Sequence, residues 1–190
     1  FIFITASGED ADETNTVSFS NFSLTIHDSQ DPSLIYELNP VSWTNTDVEV
    51  TLTASDEDSG VEGIYDSEET KVSSSSTYSF TATDNGSWTF TAKDYAGKAS
   101  STLSVEVTTI DRDAPGNPTL GAATTDWSNA AVEFTLSEPA AGASPETRQF
   151  RLDGGEWQIY VEPASVSSEG ETLLEGRVVD AAGNASEIQS

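Results

Sequence analysis

The stretch "TYSFTATDNGSWTFTAKDYAGKAS", residues 77–100, decides how the chain folds. Tyr78, Phe80 and Ala82 alternate with polar residues before Asn85-Gly86, and Trp88, Phe90 and Ala92 alternate after it. Apolar side chains at every second position put one face of a strand against a core and leave the other to water. An Asn-Gly pair between two such runs predicts a hairpin with a two-residue primed turn. "DVEVTLTAS" (47–55) alternates in the same way through Val48, Val50 and Leu52, and "RQFRLDGGEWQIYV" (148–161) predicts a second hairpin around Gly154-Gly155. "TLLEGRVVDAAGN" (172–184) adds a further strand and turn. Sustained helical periodicity is absent, so the fold class is all-β, with short strands spaced as in a sandwich.

The end of that stretch comes back. "DYAGKAS" (94–100) has a near-copy in "DAAGNAS" (180–186), at an offset of 86. "WTNTDVEVTL" (43–52) matches "WSNAAVEFTL" (127–136) at an offset of 84, pairing Trp43 with Trp127, Asn45 with Asn129 and Val48 with Val132. Self-similarity at a fixed period marks repeated structural units. The boundary lies at "TTIDRDAPGNP" (108–118), where acids and prolines cannot continue a central strand. Residues 30–110 form a first unit and 111–190 a second. "LTIHDSQDPSL" (24–34) is a similar junction, so residues 1–29 read as a two-strand segment preceding the first unit. After "AGKAS" the first unit continues with the alternating "STLSVEV", whereas after "AGNAS" the second has only "EIQS". The last strand of the second unit is expected to be incomplete, either because the sequence is a window of a longer array or because another copy donates the strand.

The runs "SWTNTDVEVTLTASDEDSGV", "YSFTATDNGSWTFTAKDYAGKAS", "DRDAP" and "FRLDGGEWQIY…VVDAAGNAS" resemble the tandem bacterial immunoglobulin-like domains of large cell-surface and secreted proteins. The resemblance spans about residues 30–190. It implies repeated seven-stranded sandwiches acting as stalks, spacers or adhesive modules. Residues 1–29 more loosely resemble the final strands of jelly-roll modules.

Charge narrows the partners. With 33 acidic and 7 basic residues the chain carries −26, which disfavours nucleic-acid backbones and anionic membranes and favours cations. The same charge keeps a salt-exposed surface soluble. There is no cysteine, so disulfides and thiolate metal sites are excluded, and a cystine-free exported β protein points to a prokaryote. No apolar run is long enough to cross a bilayer, so no direct membrane insertion is expected in this segment. The expected location is extracellular or at the cell surface.

Catalysis has little support. His27 is the only histidine, at the end of a strand, and acidic pairs in so acidic a chain are uninformative. Calcium is the sharpest positive expectation, because it takes six to eight oxygen ligands from closely spaced carboxylates in loops. The candidate ligands are Asp56 and Asp58 of "DEDSG", Asp94, and Asp111 and Asp113 of the linker, with Asp28 and Asp31 as a second junction. Trp43 and Trp127, at equivalent repeat positions, are expected to pack in or at the edge of the sandwiches, and Trp157 is the candidate exposed contact for a glycan or protein ligand. Lys71, Lys93 and Lys98 read as surface residues rather than isopeptide donors. Three N-x-Ser/Thr sequons, at Asn21, Asn85 and Asn184, are no more than composition and turn chemistry explain.

A non-catalytic structural or adhesive pair is the leading expectation, with neighbouring immunoglobulin-like domains or copies of itself as partners. Its rivals are a filament subunit, in which residues 1–29 complete the second unit of the next copy, and an accessory module of a secreted carbohydrate-active enzyme.

Overall fold

A computed structural model describes residues 28–190, and the expectations for His27, Asn21 and the donor strands of residues 1–27 lie outside the described residues. The described chain is all β. Seven strands make the first unit: β1 (Ser33–Asn39), β2 (Val48–Ser55), β3 (Val61–Asp66), β4 (Lys71–Ser73), β5 (Thr77–Ala82), β6 (Gly86–Asp94) and β7 (Leu103–Val107). They form two antiparallel sheets, β1-β2-β5 and β4-β3-β6-β7. This is the two-sheet arrangement of an immunoglobulin-like sandwich.

The second unit repeats the plan with β8 (Leu120–Ala122), β9 (Val132–Leu136), β10 (Glu146–Leu152), β11 (Gln158–Ile159), β12 (Ala164–Val166) and β13 (Leu174–Asp180). Its sheets are β12-β9-β8 and β11-β10-β13. Beyond β13 the chain turns back and runs beside it, with bridges Val179–Ala185 and Gly176–Gln189. At the repeat offset these match the first-unit pairings Lys93–Ala99 and Phe90–Leu103. Residues 185–189 thus take the place where β7 begins.

Period-2 patterning fixes the buried faces as expected. Along β2, Val48, Val50, Leu52 and Ala54 are buried and the residues between them are not. Each buried Val or Leu removes enough apolar surface to contribute about 1.5–3 kcal/mol. The Gly154-Gly155 hairpin is also present, pairing Gln149 with Ile159 and Phe150 with Gln158 around a turn in which Asp153 and Gly154 take positive φ.

The Asn85-Gly86 hairpin is not present. β5 pairs with β2, and β6 pairs with β3 and β7, so the two strands belong to opposite sheets. Neither Asn85 nor Gly86 has the positive φ that a primed turn needs. Their aromatic rows meet across the core instead of lying side by side, with ring centroids 5.2 Å apart for Phe80–Trp88 and 5.8 Å for Phe80–Phe90. Alternation specifies which face a strand buries and not which strand it pairs with. Asn85 serves the far end of the unit: its Nδ2 donates to the Ile110 carbonyl (2.8 Å) and its Oδ1 accepts the Ile110 N–H (2.9 Å).

The two cores are filled differently. The first holds Leu52, Ile64, Phe90, Val105 and Val107 among its buried residues. The second is built on Phe134, Leu136 and Tyr160, packed against Leu120 and Phe150. Gly176 of β13 stands where Phe90 stands in the first unit, and a Cβ there would lie 2.5 Å from Leu136 Cδ1 and 3.0 Å from Leu120 Cδ1. The missing side chain lets the two sheets close on those leucines.

Candidate metal centre

The repeated Asp-x-Ala-Gly-x-Ala-Ser is the turn that leaves β6 and β13. Asp94 Oδ1 accepts the Lys98 N–H (2.8 Å), Gly97 takes φ 90°, and Ser100 Oγ accepts the Ala92 N–H (2.9 Å). In the second unit Asp180 Oδ1 accepts the Asn184 N–H (2.7 Å), Gly183 takes φ 93°, and Ser186 Oγ accepts the Val178 N–H (2.9 Å). The aspartate caps the turn, glycine supplies the left-handed residue, and the serine hydroxyl stands in for a backbone acceptor. Repetition of the motif is therefore structural. The copies differ at two positions: Tyr95 against Ala181, and the residue before the last Ala-Ser, Lys98 in one copy and Asn184 in the other.

Each turn aspartate has a second oxygen. Asp94 is 2% exposed, and its Oδ2 is buried with no hydrogen-bond partner. Asp28 and Asp56 also each hold a buried Oδ2 without a partner. One carboxylate oxygen from each of the three lies within 4.8 Å of the others. Their remaining oxygens are spent locally: Asp28 Oδ1 accepts the Gln30 N–H (3.0 Å), and Asp56 Oδ1 accepts the Ser59 (2.9 Å) and Gly60 (2.6 Å) N–H groups. Each loop thus holds its own carboxylate by one oxygen and leaves the other free.

Three partly desolvated negative charges at this spacing repel one another, and a buried carboxylate oxygen without a donor is costly. A divalent cation removes both penalties. Oxygens 2.3–2.6 Å from one calcium ion stand at most about 5 Å apart, as these do, and water or a bidentate carboxylate completes its shell. An all-oxygen donor set without histidine or cysteine suits a hard cation.

Of the five residues expected to share a site, the structure gathers Asp56 and Asp94, joined by Asp28. Asp58 sits beside them in a different role. Its Oδ2 accepts the Ser29 N–H (3.0 Å) and hydroxyl (3.1 Å), which hold its pKa below the usual carboxylate value and tie down the segment carrying Asp28. Asp31 pairs with Lys98 at 3.5 Å.

Asp111 and Asp113 lie at the other end of the first unit, beyond the Asn85 end of β6, whose nine residues span about 30 Å. There Asp111 is enclosed by protein donors. Its N–H donates to the Thr44 carbonyl (2.9 Å), its Oδ2 accepts the Ser144 N–H (3.1 Å) and its Oδ1 accepts the Asp113 N–H (3.1 Å). Hydrogen bonding from Ser144, and then from the Asp113 N–H, holds the Asp111 pKa below its ordinary value. Asn184 Nδ2 donates to the Asp111 carbonyl (2.9 Å) and Asn45 Nδ2 donates to Asn184 Oδ1 (3.2 Å), so side chains from both units close this junction. The Asn85 and Asn184 amides are engaged in these contacts and are not free surface groups.

The tryptophans separate. Trp43 is half-buried and lines an open cleft with Pro139, Gly142 and Pro145 of the second unit. Trp127 is 83% exposed, which corrects the expectation that its repeat position would pack it. Trp43 shares its cleft with residues of the unit that follows it, and strand pattern alone carries no information about that neighbour. Trp157 is half-buried, with the Arg151 and Arg177 guanidiniums 4.6 and 4.2 Å from its ring centroid. Its cation–π partners are therefore its own neighbours. Lys71, Lys93 and Lys98 pair with Glu62, Glu69 and Asp31.

No protein-family model and no curated protein matches the chain. Among solved structures it is similar to the fibronectin(III)-like modules of CbhA from Clostridium thermocellum, at 15% identity and a TM-score of 0.39, over 82% of this chain and 90% of that one. Among the described residues no helix is long and apolar enough to cross a membrane.

Proposed function

We propose that the chain is a non-catalytic pair of immunoglobulin-like spacer modules of an extracellular prokaryotic surface protein, stiffened by calcium where residues 28–32 enter the first sandwich. The observation that carries this reading is the set of three orphaned oxygens on Asp28, Asp56 and Asp94. They come from three separate loops, so an ion bound among them joins the entering segment to the ends of β2 and β6. The described residues offer no histidine or cysteine for nucleophilic or acid–base chemistry. The net charge of −26 suits a calcium-rich exterior, where bound cations offset repulsion between neighbouring modules.

A ligand that binds only the folded state stabilises it by about 2.7 kcal/mol at a hundred times its Kd. For a domain of this size that raises the melting temperature by roughly 10–20 °C. Calorimetric melting in millimolar calcium and in chelator is expected to show a rise of that order, confined to one of two transitions. Identical melting curves in the two conditions would contradict the calcium assignment.

A further inference from the structure

We propose that the Asn184 carboxamide is a built-in substitute for the cation, so that the second junction is locked without metal while the first depends on it. This rests on the calcium reading above and extends it to the residue that decides between the two states.

The two junctions are built alike. Asp28 and Asp111 each stand four residues before a proline, Pro32 and Pro115, and each accepts at Oδ1 the N–H two residues ahead, from Gln30 (3.0 Å) and Asp113 (3.1 Å). Asp94 and Asp180 occupy the same place in the repeated turn and cap it through Oδ1 in the same way. In the first unit the Oδ2 atoms of Asp28 and Asp94 are both orphaned. In the second, Asp111 Oδ2 accepts the Ser144 N–H (3.1 Å) and Asp180 Oδ2 accepts Asn184 Nδ2 (2.8 Å). Asp56, the third acid of the first site, corresponds in the β2–β9 register to Ala140.

One amide group does the rest. Asn184 Nδ2 donates at once to Asp180 Oδ2 in the turn and to the Asp111 carbonyl in the linker, joining the two elements that a cation would join in the first unit. Two N–H donors aimed at two oxygens supply, without charge, the electropositive centre those oxygens require. Lys98 holds the matching position in the first unit but turns its ammonium to Asp31, 3.5 Å away, and leaves Asp94 Oδ2 open. At the turn itself, the identity of this residue decides whether the second oxygen of the aspartate is met by the protein or left for a metal.

The test exchanges the residue in the first unit. Calcium titration calorimetry on the full chain compares wild type with Lys98→Asn and Lys98→Ala. Wild type is expected to bind one calcium. Lys98→Asn is expected to bind at least about tenfold more weakly, because the new amide donates to Asp94 Oδ2. Lys98→Ala, which removes the same charge without adding a donor, is expected to stay within about threefold of wild type. Lys98 is a partly exposed turn residue whose backbone makes the capping contacts, and unchanged circular dichroism checks that both variants fold. Equal affinities for Lys98→Asn and Lys98→Ala would overturn this inference and leave the calcium reading standing. A wild-type chain that binds no calcium would overturn the reading and the inference together.

Discussion

Asp94→Asn is expected to remove calcium binding from the chain, with a loss in affinity of at least about 100-fold, because calcium affinity follows the number of charged ligands in the site. The substitution keeps the shape of the turn. The Asn carbonyl can accept the Lys98 N–H as Asp94 Oδ1 does, while the amide replaces the orphaned Oδ2 and brings donors where the ion needs an acceptor. The same change at Asp180 is expected to leave calcium binding untouched, since Asp180 Oδ2 already faces the Asn184 amide. Titration calorimetry of the two variants separates a specific site from diffuse attraction to an acidic surface. Diffuse binding would fall equally in both, by the small amount that one charge among so many contributes.

Phe90→Ala is expected to destabilise the first sandwich by about 3–5 kcal/mol, the usual cost of deleting a buried aromatic ring. Phe90 is 5% exposed and its ring lies 5.8 Å from Phe80 and 6.0 Å from Tyr78, both on the facing sheet. The cavity would open where the sheets meet. Because Gly176 holds the equivalent position and the second core is closed by Leu136 and Leu120, the second sandwich should unfold at its original denaturant concentration. Urea denaturation followed by tryptophan fluorescence reads both, since Trp43 and Trp88 belong to the first unit and Trp127 and Trp157 to the second. A loss below about 1 kcal/mol would mean that β5 and β6 form an exposed hairpin and not the two halves of a core.

These expectations show what a sequence of this kind carries. Buried faces were legible because alternation is local: Val48, Val50 and Leu52 point inward for the same reason in any sandwich. The expectation of two units rests on repeats that keep their Trp, their strand and their Asp-Gly turn in order. Strand partners were not, and Asn85-Gly86 misled because a dipeptide that favours hairpins can equally end one sheet and start the other. Its side chain is committed to Ile110, a contact 25 residues away.

The carboxylate cluster proposed as the site is only partly readable from the sequence. Asp56 and Asp94 stand out as acids at strand ends, but nothing in the sequence says which end of the unit those strand ends share, so the expectation places them beside Asp111 and Asp113 of the linker. The length of β6 places those linker acids at the opposite end of the unit. Asp28 belonged with them instead. The signal that could have found it is its spacing of four to Pro32, the same as that of Asp111 to Pro115, which puts each linker aspartate beside the top of the unit it enters. The sequence shows position 98/184 only as a Lys-to-Asn difference, and the role proposed for it depends on the direction of two oxygens.

The most direct measurement is an anomalous difference map from crystals of the chain grown in calcium. A single strong peak is predicted 2.3–2.6 Å from carboxylate oxygens of Asp28, Asp56 and Asp94, with none between Asp111 and Asp180. A peak at Asp111 and Asp113, or no peak at the Asp94 cluster, would contradict the assignment of the first junction as the metal centre.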